Sequence, residues 1–133
     1  MSGSFCDTNV LLYLIGDDPP KAVTAERVLR ERPLISAQVL NEFANVAKRK
    51  SLRMWPEILD MLRIITRTTA GVRPVTLETH RLGLDLVARH QFAIYDAMLV
   101  AAALEAGCHT LHSEDMHDGL LVAGRLRISN PFS

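Results

Sequence analysis

Two cysteines in 133 residues, Cys6 and Cys108, are too few for a disulfide framework. The N-terminus also lacks a charged stretch leading into an apolar core and a small-residue cleavage site. Both absences point to a reducing compartment, where a bridge between Cys6 and Cys108 is disfavoured. Long apolar runs are missing too: charge interrupts each one well short of the roughly 20 residues that a bilayer span needs. The expectation is therefore a soluble, cytoplasmic chain with no membrane association. Neither sign of charge is in excess, since Lys and Arg total 15 and Asp and Glu total 15. A protein that coats nucleic acid by electrostatics alone is normally basic, so that class loses support. Near-neutrality instead favours self-association or a permanent partner. Internal repeats, linkers and low-complexity tracts are absent.

What remains is ordinary globular material, 48% hydrophobic and 23% charged at 14.8 kDa. The length is that of one domain spanning residues 1–133, able to bury roughly two-thirds of its unfolded surface without a structural metal.

Period and punctuation place the elements. Ser4-Phe5-Cys6 reads as a short strand ending at Asp7, and Asn9 to Ile15 as a helix of one or two turns closed by Gly16-Asp17-Asp18-Pro19-Pro20. A helix follows over Lys21–Glu31, then a strand over Arg32–Ser36. Ser36 suits the N-cap of a helix from Ala37 to Lys50 with Val39, Leu40, Phe43, Val46 and Ala47 on its apolar face. Pro56 suits the first turn of a helix over Glu57–Arg67. Val72–Val75 is a weak strand whose Pro74 argues for an edge, and Thr76 caps a helix over Leu77–His90. Ile94–Ala106 is the most apolar helix, with Gly107 placed to end it. Thr110–His112 and Leu126–Ile128 are the last strands, with a polar loop from Ser113 to Gly119. Strands alternating with helices predict an α/β fold, a three-layer α/β/α sandwich around a short-stranded, mostly parallel sheet.

In such sheets the reactive groups gather beyond the carboxyl ends of the strands. Asp7 and Asp115 lie there on this reading. Glu42 sits among Leu40, Asn41 and Phe43, and Asp96 opens the apolar helix. Each has a bland alternative: Asp96 a helix cap, Asp7 a strand terminator, Asp115 a turn cap. As a group they point further. Carboxylates about 4 Å apart repel by roughly 4 kcal/mol per pair at an effective dielectric near 20, so a cluster must be protonated or cation-bound. An oxygen-only donor set suits Mg²⁺ or Mn²⁺, which can activate water against a phosphodiester.

Four segments, Asp7-Thr8-Asn9-Val10-Leu11-Leu12-Tyr13, Ser36-Ala37-Gln38-Val39-Leu40-Asn41-Glu42-Phe43, Tyr95-Asp96-Ala97-Met98-Leu99-Val100-Ala101-Ala102-Ala103-Leu104 and Ser113-Glu114-Asp115-Met116, stand in this order along the chain. Together they resemble the four motifs of the PIN-domain nucleases, specifically the VapC-type toxins of bacterial and archaeal toxin-antitoxin pairs. The resemblance implies a PIN-like fold and a Mg²⁺- or Mn²⁺-dependent endoribonuclease silenced by a cognate antitoxin, assembled as a homodimer or a toxin-antitoxin hetero-oligomer. It implies that Asp7, Glu42, Asp96 and Asp115 are the catalytic acids that hold the metal, with Asn9 orienting Asp7 and Ser113 supporting the last acid. Asp118 matches a less regular fifth position. Two departures stand out. Met1-Ser2-Gly3-Ser4 is small and polar where the family's first strand starts with a longer apolar run, and Cys6 replaces an apolar residue.

Other features read as follows. Alternation sends His109 and His112 to opposite strand faces, which gives no zinc spacing, and His117 lies near the site mouth. Glu114 reads as a solvated neighbour of Asp115. Lys48-Arg49-Lys50 with Arg53 reads either as a grip on RNA phosphates or as a solvated helix end, and Met54-Trp55 either as a stacking surface for a base or, the favoured reading, as a dimer or antitoxin interface. A phosphoryl-transfer enzyme with Asp7 as nucleophile would want an acid where Asn9 stands and a late lysine, yet the only lysines are Lys21, Lys48 and Lys50. A non-catalytic PIN-like binding module, its acidic pocket gripping a basic partner, stays open. Such a pocket is in either case a receptor for the planar fork of an arginine, as an inhibitory antitoxin would supply. Setting the four acids aside leaves eleven acidic residues against fifteen basic ones, a remainder of about +4 around an anionic centre.

Overall fold

The computed structural model describes residues 3–51 and 53–133. Of the run Met1–Ser4, the first two residues lie outside this description. The chain runs β1 (Ser4–Cys6), α1 (Thr8–Leu12) with a 3-10 turn over Tyr13–Ile15, α2 (Pro19–Arg30), β2 (Leu34–Ser36), α3 (Ala37–Lys50), α4 (Trp55–Thr68), β3 (Gly71–Arg73), α5 (Leu77–His90), α6 (Ile94–Glu105), β4 (Thr110–His112), β5 (Leu121–Val122) and β6 (Leu126–Ser129). The sheet order is β3-β2-β1-β4-β6-β5. Every pairing is parallel except β5 against β6. This is the expected α/β architecture with a mostly parallel central sheet.

Successive crossovers carry the chain outward from β1 to β2 to β3, then back past both to β4. With right-handed connections, this reversal puts α1 to α4 on one face of the sheet and α5 and α6 on the other. The switch point lies between β1 and β4, which pair from Ser4 with Thr110 to Cys6 with His112. In an open parallel sheet the crevice at that point is where ligands bind.

Local chemistry explains the element ends. The Ser36 side chain accepts from the Val39 N–H and Thr76 from the Thr79 N–H, so both expected caps are present. Asp18 accepts from the Lys21 N–H, which starts α2 at Pro19, two residues earlier than expected. The carboxylate of Glu57 accepts from the Met54 N–H and draws α4 back to Trp55. Gly107 ends α6 in the left-handed region, at φ +73°. β3 is an edge strand, as Pro74 implied. β5 was not expected: only two residues long, it returns to β6 through a loop whose Ala123 and Gly124 have φ of +52° and +69°. An alanine in the left-handed region is an unusual turn residue, so the hairpin signal was weak.

The core is continuous through both layers. Phe5, Leu11, Ile35, Phe43, Ile58, Leu111 and Ile128 are fully buried. In α6 every residue from Ala97 to Leu104 is buried, and the small side chains allow close packing against α5. At Gly83 of α5 an added Cβ would stand 2.6 Å from the Met98 Cε. Cys6 and Cys108 are free, buried thiols, so Cys6 takes the packing role of the apolar residue it replaces. Among the described residues no helix is long and apolar enough to cross a membrane.

Ala101 has no exposed surface. Ala101→Leu is expected to lower stability by about 1–3 kcal/mol through overpacking, seen as a drop in Tm. Leucine at the exposed Ala88 of α5 should stay within about 0.5 kcal/mol.

Candidate functional site

Asp7 is the first residue beyond β1 and only 5% exposed. Extended backbone there makes it the N-cap of α1, with Oδ1 accepting from the Thr8 N–H at 2.6 Å. Oδ2 accepts from the Ser113 hydroxyl at 2.8 Å and from the Asn9 side-chain amide at 3.2 Å. Ser113 is buried and follows β4, so the two strands that flank the switch point place the acid and its donor together. The Asn9 amide also lies 3.4 Å from the Ser113 hydroxyl, while its Oδ1 accepts from the Glu114 N–H at 3.2 Å. Asn9 thus orients Asp7 and pins the loop after β4. Ser113 supports Asp7, the first acid, rather than Asp115.

Glu42 lies one turn into α3, half-buried. Its Oε2 accepts from the Thr8 hydroxyl at 3.1 Å and its Oε1 from the Gln38 amide at 2.8 Å. The Gln38 amide also donates to the Tyr95 carbonyl at 3.1 Å, tying α3 to the start of α6. Asp96 sits in the first turn of that helix, but the N-cap is Ala93 and no side chain caps it. Asp96 is therefore not the cap itself, although its place in the first turn does complement the helix dipole.

Charge links the acids into one group. Burial raises the Asp7 carboxyl from the ordinary 3.8 to about 7, with Asp96 and Glu42 adding to the rise against the pull of the Ser113 and Thr8 bonds. Burial also raises Asp96, which feels Asp115 and Glu42. Asp115 is exposed at the rim. Asp118 lies elsewhere: it is exposed and turned to the C-terminal segment, accepting from the Asn130 N–H at 2.8 Å and the Ser133 hydroxyl at 3.4 Å.

Among the described residues, no three His, Cys, Asp or Glu side chains converge tightly enough, as placed, to share an ion. The donor chemistry still fits a hard divalent cation. The partners of Asp7 and Glu42 among the described residues are hydroxyls, amides and a backbone N–H, with no ammonium or guanidinium. The negative charge is thus left for a cation to offset, and closer approach of the carboxylates needs one.

Two residues that sequence reading gave no role, Thr8 and Gln38, orient Glu42. Only Gln38 carried a local signal, standing one helical turn before Glu42, whereas Thr8 reaches Glu42 across 34 residues. Glu114 is not solvated as expected. With its backbone held by Asn9, its side chain accepts from Lys21 at 2.7 Å and from the Tyr13 hydroxyl at 2.6 Å. Tyr13 in turn packs edge-on against Phe132. His112 faces Glu31, at 3.3 Å, and His117 is exposed. Lys48 lies 5.9 Å from the Trp55 ring and Arg53 donates to the Ile15 carbonyl, so part of the basic run is tied down locally. Met54 and Trp55 remain 64% and 50% exposed.

The PIN domain family model matches residues 4–118. Among curated proteins no sequence match is significant. Solved structures give the same fold at low identity. A toxin-antitoxin complex from Klebsiella pneumoniae aligns with TM-score 0.72 at 18% identity, covering 96% of this chain and 97% of the other. VapC20 of Mycobacterium tuberculosis, a sarcin-ricin loop cleaving toxin, aligns with TM-score 0.65 at 20% identity, over 81% and 86% of the two chains. VapBC2 from Rickettsia felis, bound to a DNA fragment from its promoter, aligns with TM-score 0.70 at 14% identity, over 96% and 97%.

The raised Asp7 has a thermodynamic consequence of definite sign. Between about pH 4 and 7 the folded chain keeps a proton that the unfolded chain has lost, so stability falls as pH rises through that window. Asp7→Asn removes the buried charge. Its Tm should exceed that of the parent at pH 8, and the gain should shrink towards pH 5; equal Tm differences at both pH values would contradict the buried charge.

Proposed function

Because this chain belongs to the PIN-domain family, we propose that it is a Mg²⁺- or Mn²⁺-dependent endoribonuclease, the toxin of a toxin-antitoxin pair, and that residues 1–133 act as one nuclease domain. The observation that carries the reading is the buried, cation-free setting of Asp7 at the switch point, electrostatically coupled to Glu42 and Asp96. A carboxylate kept there at such cost, with hydroxyl and amide donors but no basic partner, is explained by a role in chemistry rather than by stability.

Asp7, Glu42, Asp96 and Asp115 are the residues that would hold the ion. A divalent cation held there would supply Lewis acidity, to activate a water and to offset charge on the phosphodiester. The chain's own part is positioning. Ser113, Asn9 and the Thr8 N–H fix both oxygens of Asp7, and Thr8 and Gln38 fix those of Glu42. Asp7, which holds a proton up to about pH 7 in the free chain, must release it from a carboxylate oxygen to act as a ligand. Asp96 presents its carboxylate from the first turn of a helix anchored in the core, so its position is rigid. Asp118, engaged with Asn130, acts on the C-terminal turn and is left out of the ligand set.

Silencing by a cognate antitoxin follows from the same charge. An arginine inserted among the acids would pair bidentately and compete with the cation. The similar structures that are themselves toxin-antitoxin complexes support this reading, and the VapC20 likeness supports RNA as substrate. A homodimer within that assembly accords with the zero net charge.

The test is cleavage of an RNA mixture by partner-free protein with Mg²⁺ or Mn²⁺. Asp7→Asn and Asp96→Asn should each lose about 100-fold or more in rate, by the scale on which ligands and their supports matter, and chelation should abolish cleavage; variants as active as the parent would sink the nuclease reading. For the partner, co-expression with the neighbouring reading frame should yield a complex of higher mass than a lone chain, and a monomer throughout would contradict it.

A further inference from the structure

Beside the acids, α3 and the start of α6 border an open surface groove of ≈ 470 Å³ lined by Gln38, Asn41, Glu42, Asn45 and Tyr95. The four α3 residues recur at 38, 41, 42 and 45, one stripe of the helix on the side away from the buried Val39, Phe43 and Ala47. Glu42 is common to this groove and to the acid group. The Gln38 amide is already committed, to Glu42 and to the Tyr95 carbonyl, and so acts as the brace between the two walls. The side chains of Asn41 and Asn45 are exposed and have no hydrogen-bond partner among the described residues. The Tyr95 ring is 69% exposed although its neighbour Asp96 is half-buried.

We propose that this groove is a nucleobase subsite: it receives one unpaired base of the RNA strand, stacked on Tyr95 and read at its edge by Asn41 and Asn45. The inference rests on the ribonuclease reading above and names the part of its substrate that the chain recognises. Four features carry it. The lining holds no lysine or arginine and includes a carboxylate, so a phosphate or an acidic peptide is repelled while a neutral base is tolerated. Each free asparagine amide offers a donor pair and an acceptor, the complement of base edges, which display both. A tyrosine face is a stacking platform for any base. The volume falls in the range of small-molecule sites and admits a base with room for its sugar. Sharing Glu42 puts the bound base on a nucleotide next to the reacting phosphate, so the subsite would set which bond is cut. Paired bases cannot be stacked and read in this way, so the substrate is single-stranded at that point.

The test uses the full chain and two probes. The first is a pool of 14-nucleotide single-stranded RNAs randomised at four central positions, with the cut ends sequenced. The second is binding of a single-stranded RNA carrying 2-aminopurine to the Asp7→Asn chain, which reads occupancy without cleavage. The parent should favour one base, about tenfold or more, at one position beside the cut. Asn41→Ala and Asn45→Ala should flatten that ratio towards one. Tyr95→Ala should weaken binding and abolish the change in 2-aminopurine emission on stacking, while Tyr95→Phe should restore both, which a merely structural role for the hydroxyl-bearing ring would not separate. Unchanged preference and unchanged emission in these variants of a cutting enzyme would overturn the subsite and leave the nuclease standing. A parent that stacks the probe on Tyr95 yet cuts nothing would keep the subsite and remove the nuclease. Variants that lose a co-purified protein partner but bind and cut RNA as before would assign the groove to that partner and overturn the proposal.

Discussion

A carboxylate excluded from water at the junction of two parallel strands is the constraint around which this molecule is arranged. Asp7 is held at that junction by groups from opposite ends of the chain, Thr8 and Asn9 directly after it and Ser113 beyond β4. Burying a charge is unfavourable unless it is paired or neutralised. Here the donors compensate only in part, and Asp7 responds by holding its proton up to about pH 7. The neighbouring acids add to the same penalty, which only a cation or a proton relieves.

The scaffold is suited to bearing that penalty. The β1–β4 pairing that brings Asp7 to Ser113 lies in the middle of the sheet, with β2 and β3 on one side and β6 and β5 on the other. Beneath the acids, α6 is buried along eight consecutive residues, so Asp96 stands on an element that cannot yield. The site is therefore rigid where it holds charge and more open at its rim, where Asp115 is exposed and Gln38 links α3 to Tyr95. Rigidity at the acids and accessibility beside them are what a site needs if it fixes an ion and admits a polymer strand.

Around the site, side chains that look alike in sequence take different work. Glu114 and Asp115 are adjacent, yet Glu114 closes a network with Lys21 and Tyr13 and braces the loop, while Asp115 stays exposed and acts on Asp96 through charge. Asp118, three residues later, secures the C-terminal turn through Asn130.

The linear sequence was sufficient for whatever depends on near neighbours. Apolar period and punctuation placed the six helices and five of the six strands found among the described residues; Ser36 and Thr76 announced their caps, and Pro74 an edge. Asp7, Glu42, Asp96 and Asp115 could be singled out because acids at strand ends or on apolar helices are costly. The two-residue β5 escaped because its turn is built on Ala123, whose left-handed backbone has no side-chain signature. Only the tertiary structure could decide which acid is buried, that Ser113 serves Asp7, that Thr8 reaches Glu42, and that Glu114 is paired. The physical reason is distance along the chain. The bonds Thr8–Glu42 and Ser113–Asp7 span 34 and 106 residues, and burial and mutual charge are properties of such meetings, which no local pattern encodes.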